Sequence, residues 1–328
     1  MKKVFSLLLC LVILVGVGCK AKESEKQQQQ SQTKITIAQF GHVFLYLPLY
    51  VAQDKGFFKE EGLDVQLVST GGDEKTFAAV ASGSAQFGVA DPTFTAIARE
   101  KGQGGKVIAS IVNGVPFWGV AFRKDVKPVR KTEDFAGLRI ATYSAPSTNY
   151  TVMKKILQNE GRPVKAKIVE GAFGSLIAMI KAGNADIAME LEPVTSIAVA
   201  EGAQVVYSMA RSFGDFAFTG LTATDSYIKE HPDNVKAVVK ALNKSVQFIH
   251  NDFEGALTIA KKEFPEVNET ILRSALKRII DEGSVPKSVL LSKSSWDKAI
   301  DLRKEVGDIK GAGSYEENVD MSFVSSVN

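Results

Sequence analysis

Ser144-Ala145-Pro146-Ser147-Thr148-Asn149 gathers hydroxyls and an amide where a strand-like run, Arg139 to Tyr143, gives way to a helix-like one. Hydroxyls and free backbone N–H groups at a helix start can hold an anion. The same residues can equally do no more than cap the helix. Glu190 and Glu192 close the apolar run Ile187-Ala188-Met189. Side chains alternate along a strand, so this spacing turns both carboxylates to one face. There they would accept hydrogen bonds from an amine or a ring N–H; otherwise they are solvated rim residues, or one of them pairs with Arg211. His42, Phe44 and Tyr46 follow the first strand-like run and offer a polar contact and rings to stack on a planar molecule, unless the rings are core.

Other chemistries lack their residues. Gly71-Gly72-Asp73 and Gly102-Gln103-Gly104-Gly105 are not followed by Gly-Lys-Ser/Thr, so neither is a P-loop. No Gly-x-Ser-x-Gly elbow, His-Glu-x-x-His or Cys-x-x-Cys occurs, and the chain has 3 histidines and 2 cysteines. A zinc site or a cysteine nucleophile has no support, which points to binding without turnover, metal or cofactor. The weaker alternative is an enzyme on a binding framework.

The elements that must position these residues alternate. Ile35 to Ala38 reads as a strand, Leu45 to Lys55 as a helix closed by Gly56, Leu63 to Val68 as a strand and Glu74 to Ala81 as a helix stopped by Gly83. Phe87 to Ala90 is a short buried strand, Thr93 to Lys101 a helix, Lys106 to Val112 a strand. The order then recurs: strand Arg139 to Tyr143, helix Thr148 to Glu160, strand Val164 to Val169, helix Leu176 to Ala182, strands Asp186 to Met189 and Val205 to Met209. Strands separated by helices imply a parallel sheet covered on both faces, so the fold class is α/β. The letters recur as well. Ala81-Ser82-Gly83-Ser84-Ala85-Gln86 answers Lys181-Ala182-Gly183-Asn184-Ala185-Asp186 at a shift of 100, Glu61-Gly62 answers Glu160-Gly161 at 99, and Asp91-Pro92 answers Glu192-Pro193 at 101. Two lobes built alike explain this near-constant shift; chance likeness of two α/β units is the alternative.

The expected organisation is two doubly wound sheets joined by a two-strand hinge. Lobe one comprises 34–116 plus 222–328, lobe two 123–215, and the apolar stretches 117–122 and 216–221 form the crossings. After Thr222 the chain turns helical, with His231-Pro232 a good helix start. Asn234 to Ile249, Phe253 to Phe264, Glu269 to Ile280 and Ser295 to Val306 carry apolar faces that would pack back on lobe one. In a doubly wound sheet, ligands bind beyond the carboxyl ends of the strands. That rule selects Gly41, His42, Tyr46, Gly71, Gly72, Asp91 and Asn113 in lobe one. In lobe two it selects Ser144, Pro146, Ser147, Thr148, Asn149, Gly171, Glu190 and Glu192.

The N-terminus reads as an export signal. Lys2 and Lys3 precede an apolar run, Phe5 to Val17, too short to span a bilayer comfortably. Gly16-Val17-Gly18-Cys19 resembles the bacterial lipobox, with Gly16 where leucine is usual, so residues 1–18 are expected to leave and Cys19 to carry lipid. Cys10 leaves with the signal, and Cys19 then has no disulfide partner. Residues 19–33 form a polar tether; the 14 residues after Cys19 reach at most roughly 50 Å. Net charge is +3, or +1 without Lys2 and Lys3, and nothing in it suggests a nucleic-acid surface. At 45% hydrophobic and 23% charged, the composition is that of a globular protein.

Several segments carry a family resemblance. Tyr46-Leu47-Pro48-Leu49-Tyr50-Val51-Ala52 and Lys55-Gly56-Phe57-Phe58-Lys59-Glu60-Glu61-Gly62-Leu63-Asp64-Val65 are two of them. Ala81 to Asp91, and Gly183-Asn184-Ala185-Asp186 leading to Glu192-Pro193, are others. Together they resemble the nitrate/sulfonate/taurine and thiamine-pyrimidine binding proteins of ABC transporters, over roughly Ile35 to Gly220. The helix opening at Ser147-Thr148 resembles that family's ligand-gripping turn. The resemblance implies a two-lobed periplasmic-binding-protein fold of type II character and a small-molecule solute. It further implies a permease with its ATPase as partners, and a monomer that meets the membrane only through its lipid. Leu191 stands where sulfonate and pyrimidine binders often carry Trp, and Ser144 to Ser147 lacks the usual Gly-Ser pair, which weighs against a sulfonate. A related yeast-type pyrimidine synthase needs a cysteine cluster, which this chain lacks. A sensory or adaptor lipoprotein without a transporter is the alternative role.

Overall fold

The computed structural model describes residues 32–145, 147–158 and 163–326. The expected signal, Cys19, most of the tether, Pro146 and Glu160-Gly161 lie outside the described residues.

In chain order the first half runs β1 (Thr33–Gln39), α1 (Leu47–Asp54), α2 (Phe57–Glu60), β2 (Leu63–Ser69), α3 (Asp73–Ala81), β3 (Phe87–Ala90), α4 (Phe94–Arg99) and β4 (Gly105–Asn113). The second runs β5 (Trp118–Ala121), β6 (Arg139–Tyr143), α5 (Thr148–Gln158), β7 (Lys167–Gly171), α6 (Leu176–Lys181), β8 (Ile187–Glu190), α7 (Val194–Ala200), β9 (Gln204–Ser208) and α8 (Met209–Phe213). Then follow β10 (Ala217–Thr224), α9 (Asp225–Glu230), α10 (Pro232–Asn251), α11 (Phe253–Glu263), α12 (Glu269–Asp281), α13 (Lys293–Glu305), α14 (Tyr315–Asn318) and α15 (Ser322–Ser325). Thr33, expected as the last tether residue, opens β1.

The strands form two five-stranded sheets of identical topology, β2-β1-β3-β10-β4 and β7-β6-β8-β5-β9. This is the two-lobed α/β fold expected from the repeat. Gly83 (φ +77) and Gly183 (φ +73) end α3 and α6 at equivalent points, in a left-handed conformation that a side chain would strain.

Neither sheet is wholly parallel. β1 pairs parallel with β2 and β3, while β10 runs antiparallel between β3 and β4. Likewise β6 pairs parallel with β7 and β8, and β5 runs antiparallel between β8 and β9. Segments 117–122 and 216–221, expected as hinge crossings, thus supply β5 and β10, strands inside the sheets. Trp118 to Ala121 is buried throughout, and a strand covered on both faces reads as an unbroken apolar run; that is why these stretches looked like isolated apolar links. The chain changes sheet in the short links after Asn113 and after Phe213. All five strands of the second sheet are contiguous between Trp118 and Ser208, inserted between β4 and β10 of the first.

The helical tail starts with Pro232 at the first turn of α10. Val235, Val238, Val239, Leu242, Val246 and Ile249 repeat at helical spacing and bury against α1 in the first lobe's core. The tail also touches lobe two. Arg278 of α12 meets Glu192 at 2.5 Å, and Glu282 just beyond α12 accepts from Trp118 Nε1 at 2.7 Å and Ser208 Oγ at 2.5 Å. Lys155 of α5 pairs with Glu305 of α13.

Candidate functional site

The carboxyl ends of β1, β2 and β3 face those of β6, β7 and β8 across a cleft of about 520 Å³. Binding sites for small molecules fall in the range of roughly 300–1,000 Å³. Among the expected residues Tyr46, Gly71, Gly72, Asp91, Ser144, Ser147, Thr148 and Asn149 line it. Residues picked beyond the strand ends of both lobes thus share one cleft.

The first lobe's wall is built around Asp91, which follows β3. Its Oδ1 accepts from Thr93 N (2.9 Å) and Thr93 Oγ1 (2.6 Å), starting the turn into α4. Its Oδ2 accepts from Arg303 Nη2 at 2.5 Å, and Arg303 also donates to Asp308 (2.9 Å) and Thr93 (3.2 Å). Asp91 and Arg303 thus neutralise each other in place. Asp73, opening α3, accepts from Asp91 N at 3.1 Å. Burial, then the Asp91 charge, push its carboxyl up to about 6. Tyr46 is buried beside them, and burial holds its phenol well above the usual value.

The second lobe's wall hangs on the start of α5. Ser147 Oγ accepts from Tyr150 N and donates to Tyr143 O, both at 3.2 Å. Of the two readings of this turn, the cap is therefore occupied by the chain itself. Thr148 Oγ1 reaches Asp91 Oδ2 at 3.5 Å, a direct approach between lobes. Asn149 is fully buried and donates through Nδ2 to Met189 O at 2.8 Å. Tyr143 donates to Glu190 Oε2 at 2.6 Å. Glu190 is 1% exposed, and burial pushes it up to about 7. Among the described residues Glu190 Oε1 and Asn149 Oδ1 have no hydrogen-bond partner.

Six expected residues do not line the cleft, Gly171 among them, where a Cβ would meet Met179 and Leu176 of α6. Gly41 lies beside Val43, outside the lining. His42 stacks on Phe264 (4.7 Å, 18°) and meets Glu263 at 3.1 Å on the outer surface. Asn113 donates to Asp215 (2.7 Å) and accepts from Phe216 N (3.2 Å), bracing the two links between sheets. Glu190 sits behind Tyr143. Glu192 accepts from Arg278, from Ser196 N (3.0 Å) and from Ser196 Oγ (2.9 Å), buried away from the cleft. The alternation argument fails because β8 ends at Glu190, so Glu192 belongs to the turn before α7. Arg278, not Arg211, is its partner; Arg211 pairs with Glu282 at 2.9 Å.

The rest of the cleft is mostly aromatic, with Val43, Leu45 and Leu191 as its aliphatic members. Phe40, Phe94, Phe117, Phe173 and Phe218 join Tyr46 and Tyr143 along its lining. Phe117 and Phe218 belong to the apolar stretches that sequence reasoning set aside as links, and Arg303 comes from a tail helix with no motif to mark it. Phe173 stands 64% exposed at the lip, its ring 5.2 Å from Tyr143.

Residues 44–256, well over half the chain, match the family model described as NMT1/THI5 like. The chain belongs to this NMT1/THI5-like family. “Putative binding protein YtlA” of Bacillus subtilis (strain 168) is 26% identical over 303 residues, 90% of each chain. The 4-amino-5-hydroxymethyl-2-methylpyrimidine phosphate synthase of Uromyces fabae is 21% identical over 279 residues, 80% of this chain and 79% of that one. Among solved structures, the periplasmic aliphatic sulphonate binding protein SsuA of Escherichia coli superposes with a TM-score of 0.71 at 13% identity, covering 89% of this chain and 93% of that one. The family and the two sheets together make this a periplasmic-binding-protein fold, the fold of ABC import binding components. Among the described residues no helix is long and apolar enough to cross a membrane.

Proposed function

We propose that this NMT1/THI5-like protein is an exported solute-binding lipoprotein that captures a small organic molecule between its lobes and presents it to a membrane permease driven by an ATPase. The observation that carries the reading is the cleft of about 520 Å³, lined from both lobes, with Thr148 and Asp91 meeting across it. Closure about the links between the sheets buries the solute, and the closed form is what a permease would recognise. On this reading the lobes are 34–116 plus 222–328 and 123–215, with β5 joining the second and β10 the first. Tyr46, Gly72, Asp91, Ser144, Ser147, Thr148 and Asn149 contact the solute, a sulfonate- or nitrate-like anion, a zwitterion or a pyrimidine-like heterocycle. The protein acts as a monomer, by binding and release without turnover. Lipid on Cys19 holds it at the membrane, and Cys19→Ser would release it into the soluble fraction.

A thermal-shift screen of sulfonates, nitrate, amino acids, pyrimidines and flavins tests the reading, because a ligand of the folded state raises Tm by mass action. A rise of several degrees with one class supports capture and names the solute. No rise with any class, in a protein that is folded, would sink it.

A further inference from the structure

The two links between the sheets, after Asn113 and after Phe213, have a third, non-covalent companion. Glu282 to Ser284, just beyond α12, is bonded to both lobes at that point. Toward lobe two, the Glu282 carboxylate accepts from Trp118 Nε1 (2.7 Å), Ser208 Oγ (2.5 Å) and Arg211 Nη2 (2.9 Å), and its side chain is only 5% exposed. Toward lobe one, Asn113 donates its backbone N–H to Ser284 O at 3.0 Å. One turn earlier on α12, Arg278 holds Glu192. Trp118 follows the first link directly, and Ser208 precedes the second by one short helix. The Glu282 bonds therefore lie at the hinge, where a rotation of the lobes moves atoms least. Buried bonds to a charged group are also costly to break.

α13 touches the same hinge and then leaves it. Lys298 donates to Phe213 O (3.0 Å) and Asp215 O (3.1 Å) on the second link. Seven residues on, about 10 Å along the helix, Glu305 pairs with Lys155 of α5 in lobe two. That pair is open to solvent, with side chains 50% and 42% exposed. Beside it a groove of about 50 Å³ separates the helices, lined by Thr151 and Gln158 of α5 and by Leu302 and Val306 of α13. Apolar packing thus does little to hold them together there. The approach between the cleft walls, Thr148 Oγ1 to Asp91 Oδ2, is long at 3.5 Å. Strong bonds at the hinge and weak ones at the end of the lever are the layout of a pivot and a latch.

We propose that Glu282 is the pivot of the two lobes and that the Lys155–Glu305 pair is a latch that biases the empty protein toward its closed form. This rests on the closing motion of the solute-binding reading and adds what governs that motion before any solute arrives. An exposed ion pair is worth a factor of about two to five in a two-state ratio, so the latch tilts the equilibrium without locking it. A solute that needs the closed form binds more tightly in proportion to the closed fraction. Salt screens the exposed latch and leaves the buried bonds at the pivot largely untouched.

Double electron–electron resonance between spin labels on Ala78→Cys of α3 and Ala172→Cys after β7, both exposed and outside the cleft lining, tests it. The full chain is used, with Cys10→Ser and Cys19→Ser and no solute. Charges act over about 30 Å at about 10 mM salt and about 3 Å at about 1 M. Between the two, the ratio of short to long distances should fall about two- to fivefold. Glu305→Gln removes the pair whether Lys155 or its neighbour Lys154 serves, and should give the lower ratio at both salts with Tm retained. Lys155→Glu together with Glu305→Lys should restore the salt dependence. Glu282→Gln should broaden both distances, which loss of the latch does not do. A Glu305→Gln ratio equal to wild type at low salt overturns the latch, as does one distance unmoved by salt in wild type. Unchanged widths in a folded Glu282→Gln protein overturn the pivot. None of these results touches solute capture, which the thermal-shift screen tests by itself.

Discussion

Glu192 is the residue on which expectation and geometry part most sharply, and its replacement decides between them. Its carboxylate accepts from Arg278 Nε at 2.5 Å, Ser196 Oγ at 2.9 Å and Ser196 N at 3.0 Å. The Glu192 side chain is fully covered, and that of Arg278 is 19% exposed. Glu192→Ala would strand a largely buried guanidinium and two Ser196 donors, and would open a small cavity. Removing one partner of a buried ion pair costs about 3–5 kcal/mol; the residual exposure of Arg278 puts this pair near 3 kcal/mol. For a chain of this size that lowers Tm by on the order of 10 °C. Arg278→Met should cost less, because burial already pushes the Glu192 carboxyl up and it can take a proton instead of staying charged. The assay is thermal and urea unfolding of both single variants and the double, closed as a double-mutant cycle, with solute affinity measured alongside. Affinity should stay within about twofold of wild type. A Glu192→Ala protein with unchanged Tm and lost affinity would refute the reasoning, and would restore Glu192 to the ligand set.

Three further outcomes are expected. Glu190, raised to about 7 in the folded protein from an ordinary 4.5, binds its proton more tightly folded than unfolded. Stability therefore falls as pH rises from about 4.5 to about 7, by up to about 3 kcal/mol; Glu190→Gln should flatten that part of the wild-type stability curve, and an unchanged slope would show the carboxyl ionised throughout. Gly220 of β10 has no room for a methyl group: a Cβ there would lie 2.7 Å from Val107 Cγ1 and 3.1 Å from Pro92 Cβ, so Gly220→Ala should cost about 1–3 kcal/mol in urea unfolding. Phe173 is 64% exposed, so Phe173→Ala should leave stability within about 0.5 kcal/mol while weakening any ring-bearing ligand; equal affinity in titration would show that the ring stays out of the site.

Local chemistry was readable wherever one short stretch decides it. Gly83 and Gly183 announced equivalent helix ends, Ser147 announced a helix start, and the strand-end rule found the cleft from Tyr46 to Asn149. What escaped was decided at a distance. Nothing near Arg303 tells that it crosses more than two hundred residues to reach Asp91, and nothing near Trp118 or Phe218 tells that their strands run against their neighbours. Alternation misplaced Glu192 because the strand stops two residues short of it. The aromatic lining was hidden in plain composition: phenylalanines of apolar runs look the same whether they face a core or a cleft.

The insertion of one lobe within the other sets an order of events for a chain emerging from the ribosome. The second sheet is whole once residue 208 is out, since its strands follow one another from Trp118 to Ser208. The first cannot finish: β3 and β4 are made early, yet the strand that joins them, β10, starts at Ala217, after the entire inserted lobe. Until then Ala90 and Ser110, which Gly220 will bridge, face a gap. The N-terminal third of the described chain thus stays unfinished until about two thirds of the residues have been made.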